Sequence, residues 1–102
     1  ELSSFTAAGA KQSIVLNWAT ASETNTLGFN VYRAVLPAGP RMKLNKQLIP
    51  TLVPPGSPFG AAYEYVDTNL PKARRTPYYY WVESVDIYGG KTLHGPVSAR
   101  MK

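Results

Sequence analysis

Few residues in this chain have the chemistry that catalysis or ligand binding needs, and their types and spacing decide what to look for. The only histidine is His94. A nucleophilic triad would need it as the base beside a serine and an orienting acid. Ser84 is the nearest serine in the strongest strand pattern, but its phase turns it toward the core, a poor place for a nucleophile. Glu83 and Asp86 are close in sequence, and a carboxylate pair can cleave a glycosidic bond. Glu83, however, alternates outward on a strand, and Asp86 opens the turn Asp86-Ile87-Tyr88-Gly89-Gly90. There is no cysteine, no calcium-loop pattern and no phosphate-cradling glycine loop before a helix. The sequence therefore assigns no catalytic residue, no metal ligand and no cofactor.

Two groups remain as candidate binding surfaces. The first is aromatic. If Phe29 and Val31 face inward, Tyr32 faces outward. If Tyr78, Tyr80 and Val82 face inward, Tyr79 and Trp81 face outward. Tyr32, Tyr79 and Trp81 would then lie on one outer sheet face. Such a face stacks on sugar rings, nucleobases or a partner protein, or else stabilises the sheet by cross-strand packing. The second group is Lys72, Arg74 and Arg75, the one tight basic cluster in a chain of net charge +5. It is a candidate loop for sulfated or uronic polysaccharide or for phosphate, with a solvated loop as the plainer alternative.

The elements that must carry these residues are short strands. Nine prolines and eight glycines are scattered through 102 residues, which is the punctuation of many brief extended segments. Alternation marks Leu2 to Ala7, then Ser13 to Trp18 with Ile14, Leu16 and Trp18 on one face, then Gly28 to Val35. A further strand runs from Met42 to Ile49 and is stopped by Pro50. Tyr63 to Val66 is brief, Tyr78 to Val85 is the strongest, and Lys91 to Arg100 is interrupted by Gly95-Pro96. No segment has sustained helical periodicity, and no apolar run approaches the ~20 residues of a membrane span. Seven such strands predict an all-β, immunoglobulin-like sandwich of two antiparallel sheets in a single domain spanning 1–102. Its expected core is Trp18, Phe29, Val31, Tyr65, Leu70, Tyr80 and Val82. An ion pair is expected between Glu23, in the loop before the third strand, and Arg33 at that strand's end.

Three stretches carry a family resemblance. Ile14-Val15-Leu16-Asn17-Trp18 is similar to the second strand of fibronectin type III domains, and Gly28-Phe29-Asn30-Val31-Tyr32-Arg33 to their third. Leu70-Pro71 followed by Tyr78-Tyr79-Tyr80-Trp81-Val82-Glu83-Ser84-Val85-Asp86 and Gly89 resembles that family's Leu, Pro, Tyr-x-aromatic-x-Val-x-small-Val-Asp, Gly. In that match Tyr78 takes the tyrosine-corner position, its hydroxyl bonding back to the preceding connection. The string from Trp18 to Arg33 looks like the bacterial branch of the family. The resemblance implies an accessory, spacer or docking module of a secreted or cell-surface bacterial protein, with this chain a segment of it. The alternative is an adhesion or ligand-binding domain for polysaccharide or a protein surface. Implied partners are neighbouring domains of the parent protein, polysaccharide or another surface protein; nucleic acid is not expected. The connection from Leu70 to Tyr78 is longer than the usual one, and there is no Arg-Gly-Asp tripeptide.

Overall fold

A computed structural model describes residues 2–54, 56–68, 70 and 75–102. Eight strands are described: β1 (Leu2–Gly9), β2 (Ile14–Thr20), β3 (Thr26–Ala34), β4 (Met42–Lys43), β5 (Ile49–Pro50), β6 (Ala62–Asp67), β7 (Tyr78–Asp86) and β8 (Lys91–Ala99). They form two antiparallel sheets. One has the order β1-β2-β6, the other β4-β3-β7-β8, with β5 also pairing to β3. The expected sandwich is thus present, with eight strands in place of seven.

The extra strand arises because the single strand expected from Met42 to Ile49 is split. Asn45 is the cause. Its Oδ1 accepts from the Val31 amide at 2.7 Å, and its Nδ2 donates to the Gln47 carbonyl at 2.9 Å. A side chain here takes the ladder's place, as asparagine readily does. Only the flanking pairs Tyr32–Lys43, Arg33–Met42, Gly28–Pro50 and Phe29–Ile49 remain. At Gly95-Pro96 the last strand bulges rather than breaks: β8 is continuous, and its register against β7 shifts between Tyr80 and Val82.

Period-2 geometry brings the two inner faces together. Trp18 stacks on Tyr63, its cross-strand partner, with ring centroids 5.5 Å apart and planes 7° apart. Phe29 comes from the other sheet and meets Tyr63 at 4.7 Å and Trp18 edge-on at 5.7 Å. Ile14, Leu16, Val31, Tyr78, Tyr80 and Val82 complete the buried cluster. Of the expected core, Trp18, Phe29, Val31, Tyr80 and Val82 are fully enclosed, while Tyr65 and Leu70 are half-buried against them. Tyr63 and Tyr65 share a phase, but Tyr63 lies under the tryptophan. Tyr65 sits nearer the open side of the sandwich, where its hydroxyl donates to the Leu44 carbonyl at 3.3 Å. Tyr78 is buried beneath the Arg33 guanidinium, 5.6 Å from its ring centroid. The corner bond expected of its hydroxyl involves a connection that lies mostly outside the described residues.

Each end of the sandwich is fastened by a buried carboxylate, and the expected Glu23–Arg33 pair does not form. Arg33 Nη1 donates to both oxygens of Asp67, at 2.9 and 3.0 Å, and the Tyr80 hydroxyl donates to Asp67 Oδ2 at 2.8 Å. This ties β3 and β7 of one sheet to β6 of the other. Glu23 is 2% exposed and accepts from the hydroxyls of Thr20, Thr51 and Tyr63. The reason for the correction is strand length. From Thr26 to Arg33 an antiparallel strand rises about 3.4 Å per residue, or roughly 24 Å, which puts the two charges at opposite ends. Burial explains the Tyr80 phenol: desolvation first, and then its bond to Asp67, hold its pKa far above the ordinary range.

Two stability outcomes follow from this packing. Trp18→Ala should lower unfolding free energy by ~3–5 kcal/mol in urea titrations. Trp18→Phe should cost clearly less, since the Trp18 Nε1 is buried without an acceptor among the described residues and the substitution removes that donor. Asp67→Ala should cost ~3–5 kcal/mol by removing the carboxylate that faces a buried guanidinium, and Tyr80→Phe only about 1 kcal/mol. Equal costs for the last two would show that Asp67 and Arg33 are solvated rather than buried together.

Candidate functional site

The β3–β7 register fixes the outer face of the larger sheet. Asn30 lies opposite Glu83, Tyr32 opposite Trp81, and Ala34 opposite Tyr79. Tyr32, Tyr79 and Trp81 therefore stand on one face. The side chains there are linked. Glu83 Oε1 accepts from Asn30 Nδ2 at 3.0 Å and from the Tyr32 hydroxyl at 3.1 Å, and Asn45 Nδ2 donates to Asn30 Oδ1 at 2.9 Å. Desolvation raises the Tyr32 pKa, and the bond to the Glu83 carboxylate raises it further.

Trp81 differs from expectation in one respect. Its phase is outward, but it is only 4% exposed. The Arg41 guanidinium lies over its ring, 5.2 Å from the centroid, a cation–π contact. Gly95, at φ +123°, also packs close to it: a Cβ there would come within 3.1 Å of Trp81 Cδ1 and 2.7 Å of the Tyr80 carbonyl. Trp81 is thus not a bare platform. What remains accessible is a neighbouring cleft of about 380 Å³ lined by Tyr32, Gly39, Pro40, Arg41, Glu83 and Leu93. Tyr79 and Tyr32 are half-buried.

The sequence singled out the aromatics of this face but not its charges. Alternation makes Glu83 an outward strand carboxylate but does not show its two donors. In the sequence Arg41 is one of the scattered basic residues, and nothing local marks it as a cover for Trp81, although it follows the turn Pro37-Ala38-Gly39-Pro40. Of the basic cluster, Lys72 and Arg74 lie outside the described residues, and Arg75 is exposed in a turn.

Ser84 and His94 do approach each other, Oγ to Nε2 at 3.4 Å, but His94 has no carboxylate partner among the described residues. Asp86 is held in its turn, where Oδ1 accepts from the amides of Tyr88 and Gly90, both at 2.8 Å. Gly89 supplies the positive φ of +87° that the turn needs. Among the described residues no three His, Asp or Glu side chains gather as a metal site.

Two measurements probe this face and its margin. Arg41→Ala should uncover Trp81, so that acrylamide quenches one tryptophan more efficiently while Trp18 stays protected. Unchanged quenching would mean that the strands themselves cover Trp81. Burial lowers the His94 pKa, so the unfolded chain binds its proton more readily. Stability should fall as pH drops through the unfolded histidine value near ~6.5 and level off below the folded one. His94→Gln should flatten that part of the pH–stability curve; an unaltered slope would assign the effect to other groups.

No protein-family model matches the chain, and no curated protein sequence does. Among solved structures, an Fn3-like protein from Clostridium thermocellum superposes with a TM-score of 0.67 at 20% identity, over 99% of this chain and 91% of that one. The chain has a fibronectin type III-like fold.

Proposed function

We propose that this domain is a non-catalytic accessory module of a secreted or cell-surface bacterial protein, setting the spacing of its neighbours and docking against one of them. The observation that carries this reading is the path of the chain. β1 begins at Leu2, paired with Thr20 at one pole. The chain returns at Lys102, whose amide donates to the Ala10 carbonyl at 2.8 Å at the other pole. Entry and exit therefore lie a strand length apart along a body of 43 × 23 × 21 Å. A domain threaded in this way separates whatever is attached to its ends.

The pole where β1 begins also supports docking. Residues 21–25, 51–54, 56–61 and 86–90 meet there: the Leu52 amide donates to the Tyr63 hydroxyl, and the Ile87 amide to the Asn25 carbonyl. They leave Leu52, Phe59, Ile87 and Tyr88 exposed, the last at 81%. Large apolar side chains clustered at one end are the composition expected of an interdomain contact. The absence of cysteine fits a bacterial rather than a disulfide-dependent exported module.

Small-angle scattering of the parent protein with and without this segment tests the reading. Deletion should shorten the maximum dimension by the strand length that separates entry from exit, about 27 Å for the eight residues of β1 at about 3.4 Å each. An unchanged dimension would sink the spacer role.

A further inference from the structure

The cleft on the outer face holds two opposite charges that the fold leaves unjoined. Arg41 is positioned by its contact with Trp81, and it makes no hydrogen bond to another described residue. Its guanidinium donors are held in place yet uncommitted. Glu83 uses Oε1 for Asn30 and Tyr32; its Oε2 has no donor among the described residues. Arg41 and Glu83 both border Tyr32, whose hydroxyl feels the field of each, and they line the same cleft with Leu93. They form no ion pair with each other among the described residues.

An occupant of this cleft must offer a donor to Glu83 and an acceptor to Arg41. An anion would satisfy Arg41 and meet the Glu83 carboxylate. A cation would do the reverse. An uncharged ligand with neighbouring hydroxyls satisfies both, because each hydroxyl donates and accepts. The C–H face of a sugar ring would also cover apolar surface of Tyr32 and Leu93. The cleft volume, about 380 Å³, falls in the ~300–1,000 Å³ range of small-molecule sites. We infer that the Tyr32–Arg41–Glu83 cleft binds a neutral polysaccharide, seating one sugar unit between the guanidinium and the carboxylate.

The 102-residue domain tests this directly by amide shift mapping and calorimetry. The neutral probes are cellohexaose, xylohexaose and mannohexaose; the charged probes are a heparin hexasaccharide and hexagalacturonate. At least one neutral hexaose should give saturable shifts centred on Tyr32, Arg41, Glu83 and Leu93. Arg41→Gln and Glu83→Gln should each weaken that binding about tenfold, the loss expected for one charge-assisted hydrogen bond. Glu83→Gln keeps an acceptor for Asn30 and Tyr32, and thermal unfolding of both variants confirms that they fold. No shifts with any neutral hexaose, shifts at another surface, or binding of the charged probes alone would overturn the inference. None of these outcomes bears on the scattering test of the spacer role.

Discussion

The pairing of β3 with β7 is the constraint on which the rest depends. Val31 opposite Val82 places both valines between the sheets, and the next pair along, Tyr32 opposite Trp81, must then stand outside. A slip of β7 by one residue against β3 would turn Tyr80 and Val82 out of the core and drive Trp81 and Glu83 into it. Burying that carboxylate without its present partners would cost several kcal/mol. The register is therefore held by apolar burial on one side and by a polar network on the other. β3 and β7 are the centre of the larger sheet, so both β4 and β8 inherit their alignment.

The polar groups inside the sandwich follow from the same register. Arg33 falls on the inward phase at the end of β3, where the core thins, and a guanidinium there needs a fixed counter-charge. Asp67 supplies it from the opposite sheet, and Tyr80 donates a third bond. Glu23 is the mirror case at the other pole, where three hydroxyls stabilise a carboxylate beside the loops that carry the exposed apolar residues. A buried ion pair is a poor source of net stability. Its placement at one pole, and that of Glu23 at the other, instead ties loops to sheets at the two ends of the threaded domain.

Alternation alone made the sandwich legible, because each strand has one wet and one dry side. It gave the phase of Trp18, Phe29, Val31, Tyr80 and Val82 and of the outer aromatics. It did not give depth: Tyr63 and Tyr65 share a phase, and only the neighbour across the strand decides which is enclosed. It did not give long-range partners either. Arg33 finds Asp67 rather than Glu23 because the distance along β3 separates the charges, and Trp81 is covered by Arg41, forty residues earlier in the chain. Asn45 splits an expected strand because its side chain copies a backbone acceptor. Each of these features depends on tertiary contact rather than on local pattern, and the charged cleft beside Tyr32 is made of the same kind of contact.

The β3–β7 register is tested most directly by cross-strand NOEs in the folded domain. One of the two successive pairs, Val31–Val82 or Tyr32–Trp81, should show the short Hα–Hα contact of a non-hydrogen-bonded antiparallel pair, with its neighbours two residues away continuing the pattern through Phe29–Ser84 or Asn30–Glu83. Hα–Hα contacts offset by one residue, such as Tyr32 to Val82, would contradict the account, since they would place the outer-face residues in the core.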